Sequence, residues 1–408
     1  MLKLYKLKDY NFMLMFLLII ISSIGVVLVG SADPTLRSRQ LMGFLLGLAL
    51  MIVISLIDYS WILHFYWVIY MINILLLIMV RLFGTTALGA ARWINIGGFQ
   101  FQPTELCKIM IILFFSMYFM NHEKDLNSWK TVFRSIILLA FPLFLILSQP
   151  DLKNTITMAI VFALMYFGAG LSYKKIGIIL AVIVPVVLVM FFLIVKTDLH
   201  IVDDYQKDRI MTFLSSDDSE EYSDSKMQQQ NSIMAIGSGQ VTGKGLNNTE
   251  LSANSGNFIS EIQNDFIFAV AGEELGFLGS ALIVILLFLI ILLCFKAGKE
   301  AKDLSGTLVC YGMGSLIAIQ SFINICVATG LLPNTGTPLP FVSYGLTSLI
   351  SLYIGMGVVM NISLQRKKYF DYGGKYVYTG ETFKPDIVES GAGEKAQPNA
   401  ESGAGEKA

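Results

Sequence analysis

The chain has 408 residues, of which 55% are hydrophobic and only 14% charged, with a formal net charge of −1. So much apolar surface excludes a soluble globular domain and a nucleic-acid binder, and the net charge says less than where the charges sit. Four cysteines, Cys107, Cys294, Cys310 and Cys326, lie in or beside apolar runs. They match no metal-site spacing and suggest no disulfide framework, so they read as small buried hydrophobes.

Apolar runs long enough to cross a bilayer recur along the chain and predict an all-α polytopic membrane protein with about ten transmembrane helices. The expected spans lie near 12–30, 40–57, 62–80, 104–120, 132–148, 154–170, 176–195, 266–295, 305–331 and 340–362. The first run, opening at Asn11, has no convincing cleavage site and reads as a retained helix. The eighth is too long for one perpendicular crossing, and Gly272 and Gly276 are where it would break. Residues 1–370 form the transmembrane domain, interrupted by a long extracytoplasmic loop, 196–263, between helices 7 and 8. Residues 371–408 are a polar tail that repeats Glu-Ser-Gly-Ala-Gly-Glu-Lys-Ala and is excluded from the fold as linker or added sequence.

Lys and Arg set the orientation. Lys3, Lys6 and Lys8, then Lys124 and Lys130, Lys174 and Lys175, Lys296, Lys299 and Lys302, and finally Arg366, Lys367 and Lys368 all fall on one side. That side is taken as cytoplasmic, with both termini inside. The outer loops should then be poor in cations, yet they carry Arg37, Arg39, Arg81, Arg92, Lys153, Lys207, Arg209 and Lys244. These either pair with nearby carboxylates and lipid phosphates or handle an anionic ligand.

Five outer stretches carry the candidate chemistry. After span three, Arg92-Trp93 offers an interfacial anchor or a charge beside a flat apolar face for a sugar. In Gln102-Pro103-Thr104-Glu105, Pro103 suits a helix start and Glu105 its first turn; Lys108 shares the Glu105 face, as an ion pair or as a ligand contact. Between spans five and six, Asp151 in Gln149-Pro150-Asp151-Leu152-Lys153 is a helix cap or a catalytic carboxylate. Within 196–263, residues 215–226 read as a solvated acidic segment, while 228–248 start as an amphipathic helix and end in a glycine-rich turn around Lys244. Those glycines can bring backbone N–H groups to a phosphate, although the spacing is not that of a P-loop. Asn257 to Gly279 then bring Glu261, Asp265, Glu273 and Glu274 to the mouth of span eight, where ionisable groups must face protein, water or a ligand. Finally, 329–345 holds three prolines, Pro340 among them, and Ser343; such broken backbone near a membrane lines a cavity or is buried in protein.

Taken together, Arg92-Trp93 with Gln102-Pro103-Thr104-Glu105-Leu106, Gln149-Pro150-Asp151-Leu152, Ala235-Ile236-Gly237-Ser238-Gly239 with Gly243-Lys244-Gly245, Asp265-Phe266-Ile267-Phe268 with Gly272-Glu273-Glu274-Leu275-Gly276, and Gly330-Leu331-Leu332-Pro333 with Pro338-Leu339-Pro340-Phe341 resemble the SEDS family of RodA, FtsW and SpoVE. The resemblance covers about residues 10–365. It implies a ten-helix glycosyltransferase that polymerises peptidoglycan from lipid II at the outer face of the bacterial cytoplasmic membrane, in elongation (RodA-like) or division (FtsW-like). The compact C-terminal flank and the loop wording lean towards RodA. A class B penicillin-binding protein is the implied partner, besides membrane lipids and no nucleic acid. The family's proposed catalytic aspartate falls on Asp265 and its preceding glutamate on Glu261. The sequence departs from the family in Ser260-Glu261-Ile262-Gln263-Asn264-Asp265, in Gly345-Leu346-Thr347, and at Thr104 and Lys153, without losing a carboxylate or a cation.

The implied reaction displaces undecaprenyl pyrophosphate from an anomeric carbon, which needs a base near the attacking hydroxyl and positive charge near the pyrophosphate. Asp265 is the expected base, or else a helix cap. Arg92, Lys108, Lys153, Arg209 and Lys244 are candidate pyrophosphate partners. Trp93, Gln102, Glu105, Asp151, Pro340 and Ser343 complete the substrate-binding candidates. A shared divalent cation, Mg or Mn, fits the chemistry, with no ligand spacing to fix it. A lipid II translocator and a non-catalytic scaffold for the penicillin-binding protein are the alternative readings.

Overall fold

A computed structural model describes residues 10–87, 90–96, 99–149, 151–179, 181, 185, 223–248, 262–365, 368–372 and 375–379. The chain divides into two units, Met1–Arg366 and Lys367–Ala408. In the second, Lys368–Tyr372 pairs antiparallel with Lys375–Thr379.

The first unit is a helical bundle. Its helices are α1 (Phe12–Ala32), α2 (Arg37–Ser55), the short α3 (Tyr59–His64), α4 (Tyr66–Phe83), α5 (Pro103–Asn121), α6 (Trp129–Leu147), α7 (Leu152–Gly168), α8 (Ser223–Ser238), the one-turn α9 (Ile262–Asp265), α10 (Ile267–Lys299), α11 (Leu304–Ala328) and α12 (Leu346–Leu364). Eight of the described helices are long and apolar enough to cross a membrane, and α7 is a shorter apolar one. They answer to nine of the ten expected spans; the seventh, 176–195, lies largely outside the described residues. The tenth starts later than expected, at Leu346, because Pro338-Leu339-Pro340-Phe341 stays non-helical: prolines lack the N–H that a helix interior needs.

Burial sorts the helices. α5, α11 and α12 bury nearly every face and form the centre. α2, α4 and α6 turn large apolar side chains outwards, with Phe83 70% and Phe133 64% exposed, as lipid-facing helices do. Buried polar side chains in mid-span are neutral, such as Asn73, Gln320 and Asn324. At the end opposite Glu105, a polar network ties α2, α3, α11 and α12 together. The Asn361 amide bridges the Ser55 carbonyl (2.8 Å) and the Tyr59 N–H (2.9 Å). The Tyr59 hydroxyl donates to Asp303 (2.8 Å), and Lys302 donates to Gln365 (2.7 Å). Burial, with Asp303 beside it, pushes the Tyr59 phenol well above its ordinary range.

A feature absent from the sequence reading is a small antiparallel sheet between α4 and α5. Its strands are β1 (Thr85–Ala87), β2 (Ala90–Ile96) and β3 (Phe99–Phe101), in that order. It hands the chain to α5, whose first residue is Pro103 and whose first turn holds Glu105.

Candidate active site

The long helix α10 is broken at Gly276, which has φ 65 and ψ −162. A break costs two helical hydrogen bonds, leaving the Phe277 and Leu278 N–H groups and the Glu273 and Glu274 carbonyls open. In a membrane protein such groups must be satisfied internally. The turn after α8 does this by inserting into the gap. Phe277 and Leu278 donate to the carbonyls of Gln240 (2.8 Å) and Val241 (3.1 Å). The Lys244 and Gly245 N–H groups donate to the carbonyls of Glu273 and Glu274, each at 3.0 Å. The glycine-rich turn therefore does bring backbone N–H groups to acceptors, but these are helix carbonyls rather than a phosphate. Of the two glycines expected to break the span, Gly276 breaks it and Gly272 stays helical.

This splice fixes the side chains of the break. Lys244 Nζ lies 2.9 Å from Glu273 Oε1, with the lysine 22% exposed and the glutamate fully buried. Glu274 accepts from the Ser31 hydroxyl at the end of α1 and from the Asn247 N–H (3.0 Å).

A second charged group forms at the start of α5. Lys108 and Glu105 are both buried and pair at 2.8 Å. Ser348 also hydrogen-bonds Glu105, and the Lys153 ammonium adds a second favourable charge. The main-chain N–H of Gln102 donates to Thr347 (3.3 Å). Lys153 itself donates to the carbonyl of Gly336. Asp151 uses both oxygens on its own helix, accepting from the Asn154 N–H (3.3 Å) and amide (2.7 Å), so it is the cap of α7.

Asp265 closes α9, half-buried, two residues before the start of α10. The N-cap position of α10 is Phe266, so Asp265 is not its cap. Its carboxylate has no hydrogen bond among the described residues, whereas the main chain around it is held from two sides. Tyr344 N–H donates to the Gln263 carbonyl (2.9 Å), and the Asn324 amide donates to the Asp265 carbonyl (2.8 Å). The same Asn324 nitrogen donates to the Thr337 carbonyl (2.7 Å). Loop residues 336–337 are thus held by Lys153 and by Asn324, which also holds Asp265. Ser343 staples the proline-rich break: its hydroxyl accepts from Leu339 N–H (2.7 Å) and its carbonyl from the Gln40 amide (3.2 Å). Pro340 is buried beside it.

Trp93 lies half-exposed in β2, opposite Thr85. Arg92 is placed on β2 by its backbone alone, and Glu261 and Arg209 lie outside the described residues. Sequence reasoning passed over Asn324, Ser31 and Ser348; the one signal for Asn324 is a side-chain amide, like Gln320 one turn before it, in an apolar span, where it must find a partner. Among the described residues no three His, Cys, Asp or Glu side chains come together as a metal site. Glu105 and Glu273 are each paired with a lysine, and Glu274 accepts through Oε1 while its buried Oε2 is left without a hydrogen-bond partner among the described residues. These residues do not make a donor set for the expected Mg or Mn.

Residues 4–368 match the family described as Cell cycle protein, FTSW_RODA_SPOVE. The chain belongs to this family. It is similar to a probable peptidoglycan glycosyltransferase FtsW of Wigglesworthia glossinidia brevipalpis, 33% identical over 388 residues, 91% of this chain and 98% of that one. It is also similar to peptidoglycan glycosyltransferase MrdB of Escherichia coli K12, 31% identical over 355 residues, 86% and 91% of the two chains. A chain from a peptidoglycan synthase complex, solved for the coordination of polymerization and crosslinking, superposes with a TM-score of 0.73 at 26% identity, over 88% of this chain and 98% of that one. A variant of the rod shape determining protein RodA of Thermus thermophilus superposes with a TM-score of 0.62 at 25% identity, over 88% and 99%. Family and helices together make this a multi-pass membrane protein of bacteria.

Proposed function

We propose that this family member is a peptidoglycan glycosyltransferase that polymerises lipid II at the outer face of the cytoplasmic membrane, serving elongation or division, with both termini inside. The observation that carries the reading is Asp265: a half-buried carboxylate, unengaged among the described residues, on a main chain held from both sides. A base needs that combination of a free acceptor and a fixed position. The relatives named as peptidoglycan glycosyltransferases support the reaction class.

In this reading Asp265 takes the proton of the acceptor 4-hydroxyl. The freed oxygen pair bonds to the anomeric carbon of the donor, and the bond from that carbon to the pyrophosphate oxygen breaks. The lipid-linked pyrophosphate leaves with its charge met by cations. Of the described candidates, Lys153 and Lys244 are half-buried at this end of the bundle, whereas Lys108 is fully buried against Glu105. Glu261 remains assigned from the resemblance as the carboxylate that precedes Asp265, and Arg92 and Arg209 remain candidate pyrophosphate partners from the sequence. A class B penicillin-binding protein supplies crosslinking beside it. Within the described spans every Asp, Glu, Lys and Arg lies within about two turns of a helix end, a distribution that suits surface chemistry better than a charge relay through the bilayer.

The test is polymerisation of labelled lipid II by the purified chain, with and without its penicillin-binding protein. Asp265→Asn should lower turnover about 100-fold or more while leaving the thermal unfolding curve in place. Equal product from both proteins would remove Asp265 as the base.

A further inference from the structure

At the end of the bundle away from Asp265 lies a basic corner that the glycosyl transfer does not use. Two Ser-aromatic-Lys words meet there, Ser128-Trp129-Lys130 at the start of α6 and Ser172-Tyr173-Lys174-Lys175 at the helical run 173–179. Asn127 joins them, its amide donating to the Gly170 carbonyl (3.0 Å) and its oxygen accepting from the Ser172 N–H (2.8 Å). The Lys175 ammonium sits over the Trp129 ring, 5.2 Å from its centroid. Lys124, Lys130, Arg134 and Lys174 are exposed and have no ion pair among the described residues; Glu123 and Asp125 are the acidic neighbours, so cations prevail.

Arg134 is the residue that asks for a ligand. It is the sixth residue of the span α6, about 7 Å inside the Trp129 level at the helical rise. There it is exposed between Phe133 (64% exposed) and Ile137 (51%), side chains that face lipid tails. A guanidinium at that depth, near the Tyr118 phenol but with no carboxylate paired to it among the described residues, reaches up to an anion at the interface. Phosphate suits it, because the planar fork binds phosphate oxygens in pairs. Trp129 (53% exposed) and Tyr173 (80%) supply the aromatic rings that settle at headgroup level.

We propose that Lys130, Arg134, Lys174 and Lys175 form a binding site for the phosphate headgroup of an anionic phospholipid, whose chains lie along Phe133 and Ile137. Basic pockets between transmembrane helices hold such headgroups. The site commits to lipid rather than to free phosphate because the cations stand above a lipid-facing apolar face. It is independent of the assignment of Asp265.

The full chain in detergent is titrated with dioleoylphosphatidylglycerol or dioleoylphosphatidylcholine, and bound lipid is counted by native mass spectrometry. The phosphatidylglycerol should be retained in preference, and Arg134→Gln with Lys174→Gln should weaken its retention about tenfold or more. Lys296→Gln with Lys299→Gln, exposed cations near the end of α10, should change retention less than about twofold. Should the first double variant fold poorly, Lys174→Gln alone, on an exposed side chain, should still weaken retention about threefold. Equal retention of the two lipids, an equal loss in the Lys296/Lys299 variant, or displacement of the lipid by millimolar inorganic phosphate would each overturn the proposal.

Discussion

Asn324 donates from one amide nitrogen to the main-chain carbonyl of Asp265 (2.8 Å) and to that of Thr337 (2.7 Å), from a fully buried position in α11. The Asp265 segment and the proline-rich loop are therefore positioned by one side chain, which need not touch substrate. Asn324→Ala leaves two buried carbonyls without their donor, at about 1–3 kcal/mol. It should lower turnover of lipid II more than it raises KM, because the carboxylate is misplaced rather than removed. Asn324→Asp should be worse still, since a carboxylate would face two carbonyl oxygens. Thermal unfolding and steady-state polymerisation, measured side by side, check both statements. A variant with unchanged turnover would leave Asn324 as a packing residue only.

Glu105 and Lys108 make a pair whose two halves are not equivalent. Lys108→Met leaves Glu105 with Ser348 and the charge of Lys153, whereas Glu105→Gln leaves two ammonium groups facing an uncharged site. Removing one partner of a buried pair costs about 3–5 kcal/mol. Glu105→Gln should therefore lower the unfolding temperature more than Lys108→Met does. The double variant should regain much of the loss, since no charge is then stranded. A double-mutant cycle on unfolding midpoints gives the coupling. If Lys108 also meets pyrophosphate, the double variant will recover its fold but show a raised KM for lipid II.

The apolar runs alone carried most of the fold, because span length is a local property of sequence. The helix start at Pro103 and Glu105 was legible for the same reason, as was the break near Gly276. The two readings left open for Asp151 and for Asp265 turned on neighbours. Asn154 engages both oxygens of Asp151, while Phe266 takes the cap position that Asp265 was weighed for. What fills the break was not legible. Gln240 and Phe277 are far apart in sequence, and the bond between them is a matter of backbone geometry that side-chain identity does not announce. The sheet β1–β3 did leave a signal, Ile94-Asn95-Ile96 and Phe99-Gln100-Phe101 alternating about Gly97-Gly98, but runs of three residues are too short to stand out beside the apolar spans.

The splice itself makes the sharpest contrast among substitutions. A Cβ on Gly276 would lie 2.3 Å from the Gly243 nitrogen, and one on Gly243 would lie 2.1 Å from the Glu274 carbonyl oxygen. Both residues also need positive φ, 65 and 78. Gly245 has φ 94 as well, but its Cβ would meet nothing within 4 Å. Gly245→Ala should thus carry backbone strain alone, about 1–2 kcal/mol. Gly243→Ala and Gly276→Ala should each cost about 3 kcal/mol or more, because the turn must leave the break and expose four backbone groups. Hydrogen exchange at the Phe277 and Leu278 amides reads this directly. Exchange there should quicken in the two tight variants, with the Lys244–Glu273 pair lost, and stay slow in Gly245→Ala. Slow exchange in all three would mean that the helix break closes its hydrogen bonds without the turn.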